Sequence, residues 1–272
     1  QIQLLLKSAK DGDEDHFRTI PEQLQPYLNT AYDEDYLNTF LLSIKHGHLN
    51  VMIKLINLGA RVDIKDNNPL RTANGLHYAC WYGKTDIANY LLETYPHIFS
   101  LNDIDHWGNT PILYSIYGGK QDTMNWILQR DKSIKITNEL SNNKGHNALI
   151  QCSCSDNLEL VKSLINDYKL DVNYKDHDTY GAINSAARYG KIKIMEYLLS
   201  VGSQLNYKDN KSSILMSASY GGCINVFEWY KKQGYSLNEK NEQGDTPLIM
   251  ASKEGKLNLV KWLVNSGVNI YE

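Results

Sequence analysis

Short apolar stretches recur along the chain at a nearly constant spacing. In each, apolar side chains fall three or four residues apart, as at Leu257, Val260, Leu263 and Val264, which is the spacing of one face of a helix. A glycine and a polar residue precede the stretch at Gly47-His48, Gly83-Lys84, Gly119-Lys120, Gly190-Lys191, Gly222-Cys223 and Gly255-Lys256, and Asp156-Asn157 stands in once. Successive junctions lie 36, 36, 37, 34, 32 and 33 residues apart, and Gly12, closing the stretch that starts at Leu5, extends the series 35 residues upstream. A period of this length is one small unit of two helices and a connection, which cannot bury its apolar faces alone and must stack on its neighbours.

The last unit shows what each residue type does. In Gly244-Asp245-Thr246-Pro247-Leu248, Thr246 is placed to cap the first helix and Pro247 fits its first turn, where a missing N–H costs nothing. Ala251 keeps that helix thin enough for close stacking, and Gly267 supplies the left-handed residue that ends the second helix. The same grammar recurs in Gly108-Asn109-Thr110-Pro111-Ile112-Leu113 and, more loosely, in Asn74-Gly75-Leu76-His77-Tyr78-Ala79-Cys80 and Gly145-His146-Asn147-Ala148-Leu149-Ile150. These units resemble ankyrin repeats over about residues 33–272. The resemblance implies an all-α solenoid of about seven helix-turn-helix units in a single domain, 1–272, with a divergent capping helix pair in residues 1–32. The connections Asp66–Thr72 and Tyr95–Asn102 depart from the pattern by their altered length.

Composition narrows the setting. With 42% hydrophobic and 22% charged residues and a net charge of −3, the chain is an ordinary globular protein, and a surface built to neutralise many phosphates is not expected. Nucleic acid is therefore not an expected partner. No apolar run approaches the roughly 18 residues of a membrane span, so no membrane partner is expected either. The four cysteines sit within apolar stretches as small hydrophobes, which suits a reducing, cytoplasmic location. The chain starts without Met, ends at Ile270-Tyr271-Glu272 and keeps Leu259, Trp262 and Val264 in its final unit, so a longer parent protein is expected. Richness in Lys, Asn, Ile and Tyr resembles effectors of bacteria that live inside eukaryotic cells, in which case the location is the host cytosol; amoebae, other protists and large viruses fit as well.

Candidate chemistry is sparse. Gly118-Gly119-Lys120 imitates a phosphate loop but lies at a helix–helix junction with no preceding strand. Asp103-Ile104-Asp105-His106-Trp107-Gly108 imitates the start of a calcium loop, yet its twelfth position is Tyr114 where a bidentate Glu is required. The aspartate of this stretch resembles the one that ties down the ankyrin hairpin turn. Cys152 and Cys154, two apart on a helix, face away from each other and have no second pair at zinc spacing. No catalytic residue, cofactor or metal is expected. Asn173, Asn206, Asn238 and Asn269 resemble asparagines hydroxylated in some ankyrin proteins, although their first role is the turn.

The resemblance implies a concave binding surface made of hairpin tips and of exposed residues at the end of each first helix. The two positions before each junction supply Trp81, Tyr82, Tyr117, Arg188, Tyr189 and Tyr220, with a gap at Cys154-Ser155. These residue types are enriched at binding hot spots, while a tyrosine there also packs on the neighbouring helix in many ankyrin units. The tips add His106, Trp107 and Tyr180, with His177 and Asp178 beside them. Asp33-Glu34-Asp35 is an acidic run suited to steering a basic partner or simply to facing solvent. The expectation is a monomeric, non-enzymatic module that captures another protein on its concave face. The alternative is a targeting or autoinhibitory arm of a larger enzyme whose catalytic domain lies outside this segment.

Overall fold

The computed structural model describes the chain except for residues 19, 21, 69–70, 206–212 and 270–272, and the side chain of Glu22. Among the described residues there are sixteen α-helices and no strand; the hairpin stems contribute only isolated bridges, such as Lys65 with Asn74 and Lys175 with Gly181. The chain divides into two compact units, Gln1–Lys135 and Ile136–Glu272.

The first unit opens with α1 (Ile2–Asp11), a 3-10 turn (Glu22–Leu24) and the four-residue α2 (Tyr27–Thr30), so the expected capping pair is an unequal one. Three regular pairs follow: α3 (Thr39–His46) with α4 (Leu49–Asn57), α5 (Gly75–Trp81) with α6 (Thr85–Thr94), and α7 (Pro111–Tyr117) with α8 (Gln121–Arg130). The second unit holds four pairs: α9 (Ala148–Cys152) with α10 (Leu158–Asn166), α11 (Ala182–Arg188) with α12 (Ile192–Ser200), α13 (Ile214–Gly221) with α14 (Ile224–Lys232), and α15 (Pro247–Lys253) with α16 (Leu257–Asn265). Within each unit, each first helix packs on the first helices of its neighbours.

The second helices bury the fourth, fifth and eighth residues after the junction: Ile87, Ala88 and Leu91 in α6, Leu160, Val161 and Leu164 in α10, Ile194, Met195 and Leu198 in α12. This corrects the face read from the last unit. Leu259 and Leu263 are buried in α16, but Val260 is only half-buried, and Leu257 and Val264 are exposed at 60% and 45%. An internal pair is covered by neighbours on both faces, whereas one face of this pair has no neighbour among the described residues.

Local capping follows the sequence in most units. The side chains of Asn38, Asn74, Asn147, Ser213 and Thr246 each accept a backbone N–H from the first turn of their helix. Thr110 does not: its hydroxyl is buried without a partner, and Pro111 alone marks the start of α7. Where Asp156 replaces the junction glycine, α9 is five residues long and its junction lacks the left-handed residue that Gly83 supplies at φ 71°. Lys191, the residue after the next glycine, ion-pairs with Asp156 at 2.6 Å, filling the position over the junction that Lys84 takes above Gly47.

Cys80 and Cys152 are fully buried; burial pushes the Cys152 thiol up to about 12 and the Cys80 thiol higher still. Both remain protonated core groups at neutral pH. No helix among the described residues is long and apolar enough to cross a membrane.

Candidate functional site

Five hairpins among the described residues are built around one side chain that accepts two backbone N–H groups of its own turn. Asp33 does so from Asp35 and Leu37, Asp105 from Trp107 and Asn109, Asn142 from Lys144 and His146, Asp176 from Asp178 and Tyr180, and Asn241 from Gln243 and Asp245. The acidic stretch at Asp103–Gly108 thus uses Asp105 for the turn, while the Asp103 carboxylate accepts from Asn74 and from the Ser100 backbone. Among the described residues no three His, Cys, Asp or Glu side chains converge as a metal site would require.

In the first unit Trp81, at the end of α5, is the hub of the predicted residues. Its ring stacks on Tyr82 at 5.2 Å and meets Tyr117 edge to face at 5.4 Å. Two further rings join it, Tyr114 at 5.7 Å and Tyr78 at 5.9 Å. All three predicted aromatics are half-buried, so they pack on one another and still present an outer face. Gly118 makes this approach possible, since a methyl group there would collide with the Trp81 carbonyl oxygen. The Gly118-Gly119 pair is therefore a packing device at the junction. His106 and Trp107 form a second, smaller group on the next tip, with rings 5.3 Å apart, and the His106 N–H donates to the Arg71 carbonyl at 2.9 Å.

Two cations complete this face, and the sequence reading missed both as site residues. Arg71 lies 5.3 Å over Trp81 and 5.5 Å over Tyr78, and its Nε donates to Asp66 at 2.6 Å. The Asp66 side chain is 0% exposed and also accepts the Tyr78 hydroxyl at 2.8 Å. Burial, reinforced by the Asp66 charge, holds that hydroxyl far above its ordinary pKa. Lys45 lies 5.8 Å over Tyr82 and donates to Asp35 at 2.7 Å, and that hydrogen bond holds the Asp35 carboxyl below its usual range. For Arg71 the signal in the sequence was the tip length: eight positions separate Asp66 from the cap Asn74, against five from Asp105 to Thr110 and from Asp33 to Asn38.

The second unit holds Tyr180, Arg188, Tyr189 and Tyr220. The Arg188 guanidinium sits 4.0 Å over the Tyr220 ring, and Tyr189 and Tyr220 are exposed at 46% and 40%. Gly221 repeats the device of Gly118, leaving room for the Arg188 carbonyl, to which the Cys223 thiol donates. Tyr180 is half-buried and stacks at 5.8 Å on His146, whose Nε2 is 2.8 Å from Asp176. Burial raises the Tyr180 hydroxyl above its ordinary pKa. Of the turn asparagines, Asn173 donates to the Gly202 carbonyl and Asn238 accepts the Asn269 N–H; Asn206 lies outside the described residues.

Comparison with known proteins agrees with this geometry. A family model described as Ankyrin repeats (3 copies) matches residues 40–139, 96–176, 134–209 and 183–272. Ankyrin repeat protein nuc-2 of Neurospora crassa is 24% identical over 98% of the chain, which covers 25% of that protein. Glycerophosphocholine phosphodiesterase GDE1 of Candida albicans is 26% identical over 70% of the chain and 17% of its own length. Putative ankyrin repeat protein L72 of Acanthamoeba polyphaga mimivirus is 25% identical over 42% of the chain and 29% of its own length. The chain thus spans under a third of each of these relatives.

Proposed function

The chain belongs to the ankyrin-repeat family, and on that premise we propose that it captures another protein on the faces carrying Trp81, Tyr82, Trp107 and Tyr117 in the first unit and Arg188, Tyr189 and Tyr220 in the second. Ankyrin repeats are in general protein–protein interaction modules. The observation that carries the reading here is the ring cluster around Trp81, where large amphipathic side chains keep an outer face although each has neighbours to pack on. Trp, Tyr and Arg in such positions supply much contact area at little loss of side-chain freedom, and truncating one at a hot spot typically costs about 2 kcal/mol or more. In this reading the chain does no chemistry of its own and works in the cytosol, that of the host if it is a secreted effector.

The test is affinity capture from cell lysate with the wild type beside a Trp81→Ala, Tyr117→Ala, Tyr189→Ala variant, after circular dichroism shows both folded. A protein retained by the wild type and lost by the variant supports the assignment; equal retention places binding elsewhere on the molecule.

A second reading makes the chain a targeting or autoinhibitory arm of a larger enzyme. It is favoured by relatives that are enzymes and of which the chain covers only a small share: the phosphodiesterase GDE1, at 17%, and the mouse serine/threonine-protein kinase TNNI3K, at 19%. A catalytic domain in the same open reading frame would support it.

A further inference from the structure

We propose that Arg71 is an internal occupant of a cation-binding site, made by the Trp81 and Tyr78 rings and the Asp66 carboxylate, and that an arginine or lysine side chain of the partner protein takes its place. The proposal rests on the reading of this face as a docking surface and names the chemistry that the surface accepts.

Three observations carry it. The guanidinium lies 5.3 Å and 5.5 Å from two ring centroids, within the roughly 6 Å over which an aromatic face attracts a cation. Asp66 keeps a buried oxygen, Oδ1, with no hydrogen-bond partner. Its counterpart Asp105 has none left open: Oδ1 accepts two turn N–H groups and Oδ2 accepts the Asn109 amide and the Tyr114 hydroxyl. A buried carboxylate oxygen without a donor is costly, and a group rich in N–H donors satisfies it best. The third observation is the anchoring of Arg71. Its carbonyl is fixed by the His106 N–H, while its side chain remains 25% exposed, so the side chain can leave without unmaking the tip.

Exchange of one cation for another explains why the entrant must be basic. If Arg71 left alone, Asp66 would be a buried unpaired charge, whereas an incoming guanidinium or ammonium keeps it paired throughout. A neutral or acidic side chain cannot do this. The surroundings suit a basic entrant: the tip bearing exposed Glu34 and Asp35 is bonded to the Asp66 tip through Asn67 N–H and the Tyr36 carbonyl, and Lys45 repeats the same cation, ring and carboxylate construction on Tyr82 and Asp35.

The experiment uses ethylguanidinium chloride as the probe, at up to about 50 mM, far below denaturing concentrations of guanidinium. The readout is the Trp81 indole N–H signal by NMR, assigned with Trp81→Phe. Ethylurea, its neutral isostere, and potassium chloride at equal ionic strength are the controls. Arg71→Ala is expected to bind the probe saturably and at least about tenfold more tightly than the wild type, with no response to ethylurea, and the double variant Asp66→Asn, Arg71→Ala is expected to lose the binding. An Arg71→Ala response no stronger than wild type, or matched by ethylurea, overturns the site. Should Arg71→Ala be unfolded alone, recovery of its helical circular dichroism with ethylguanidinium and not with ethylurea supports the site, and no recovery overturns it. Probe binding combined with unchanged partner capture by the Trp81, Tyr117, Tyr189 variant would overturn use of the site by a partner at this face; loss of capture without probe binding would overturn the cation site and leave the docking face standing.

Discussion

The hairpins at Asp66 and Asp105 start from the same plan and close it differently. Both carboxylates are buried and both accept a tyrosine hydroxyl at 2.8 Å from the helix that follows, Tyr78 in one and Tyr114 in the other. In the short tip the remaining capacity of Asp105 is filled by its own turn. In the longer tip it is filled partly by Arg71, a partly exposed side chain, and one oxygen is left open. The difference teaches that a repeat family can keep a structural carboxylate while converting its neighbourhood from a closed turn into an exchangeable one. In the tip that is longer by three positions, a guanidinium takes a place at the carboxylate that turn groups hold in the short one.

The largest effect that bears on this comparison is expected from removing the two carboxylates in turn. Asp105→Ala strands two backbone donors, an amide and a hydroxyl in a buried turn, and should cost about 4 kcal/mol. Asp66→Ala strands fewer groups, and Arg71 is free to turn to solvent, so about 2 kcal/mol is expected. Urea denaturation of both variants would show the order, and equal losses would break the comparison.

A smaller effect concerns pH. His77 is buried in α5, where its Nδ1 lies 3.3 Å from the Asn74 backbone nitrogen and 2.7 Å from the Asn74 Oδ1, and its Nε2 faces the Asp103 carbonyl at 3.2 Å. Burial holds its pKa below the ordinary value of 6.5, against the pull of Asp105 and Asp103. The unfolded chain takes up this proton first, so stability contributed by His77 is present above pH 6.5 and is lost as pH falls from there toward the folded value. The expected loss between pH 7 and 5.5 is read as a fall in the midpoint of urea unfolding. His77→Gln should flatten that slope. Leu113 occupies the matching position of α7, so substitution there should leave the slope unchanged.

The smallest effect is expected at Lys45. Its ion pair with Asp35 involves a carboxylate with a 57% exposed side chain, so Lys45→Ala should cost under about 1 kcal/mol and less in high salt. A larger loss, measured by thermal melting at low and high salt, would mean that Lys45 on Tyr82 is as deeply engaged as Arg71 on Trp81.

Much of the architecture was legible from the chain alone, because its determinants are local. The junction glycines and the Asn, Ser and Thr caps act within one turn of helix, and in most units they appear where the period places them. Trp81, Tyr82 and Tyr117 were legible as surface candidates for the same reason, since their distance from the junction fixes the side of the helix they occupy. The tertiary structure decided everything that depends on a neighbour. Leu259 rather than Leu257 is buried in the last pair because coverage by an adjoining repeat, not periodicity, selects among the apolar positions of a helix. Arg71 and Lys45 belong to the aromatic face because long flexible cations settle wherever rings and carboxylates meet in space, and that meeting place joins residues from different hairpins and helices.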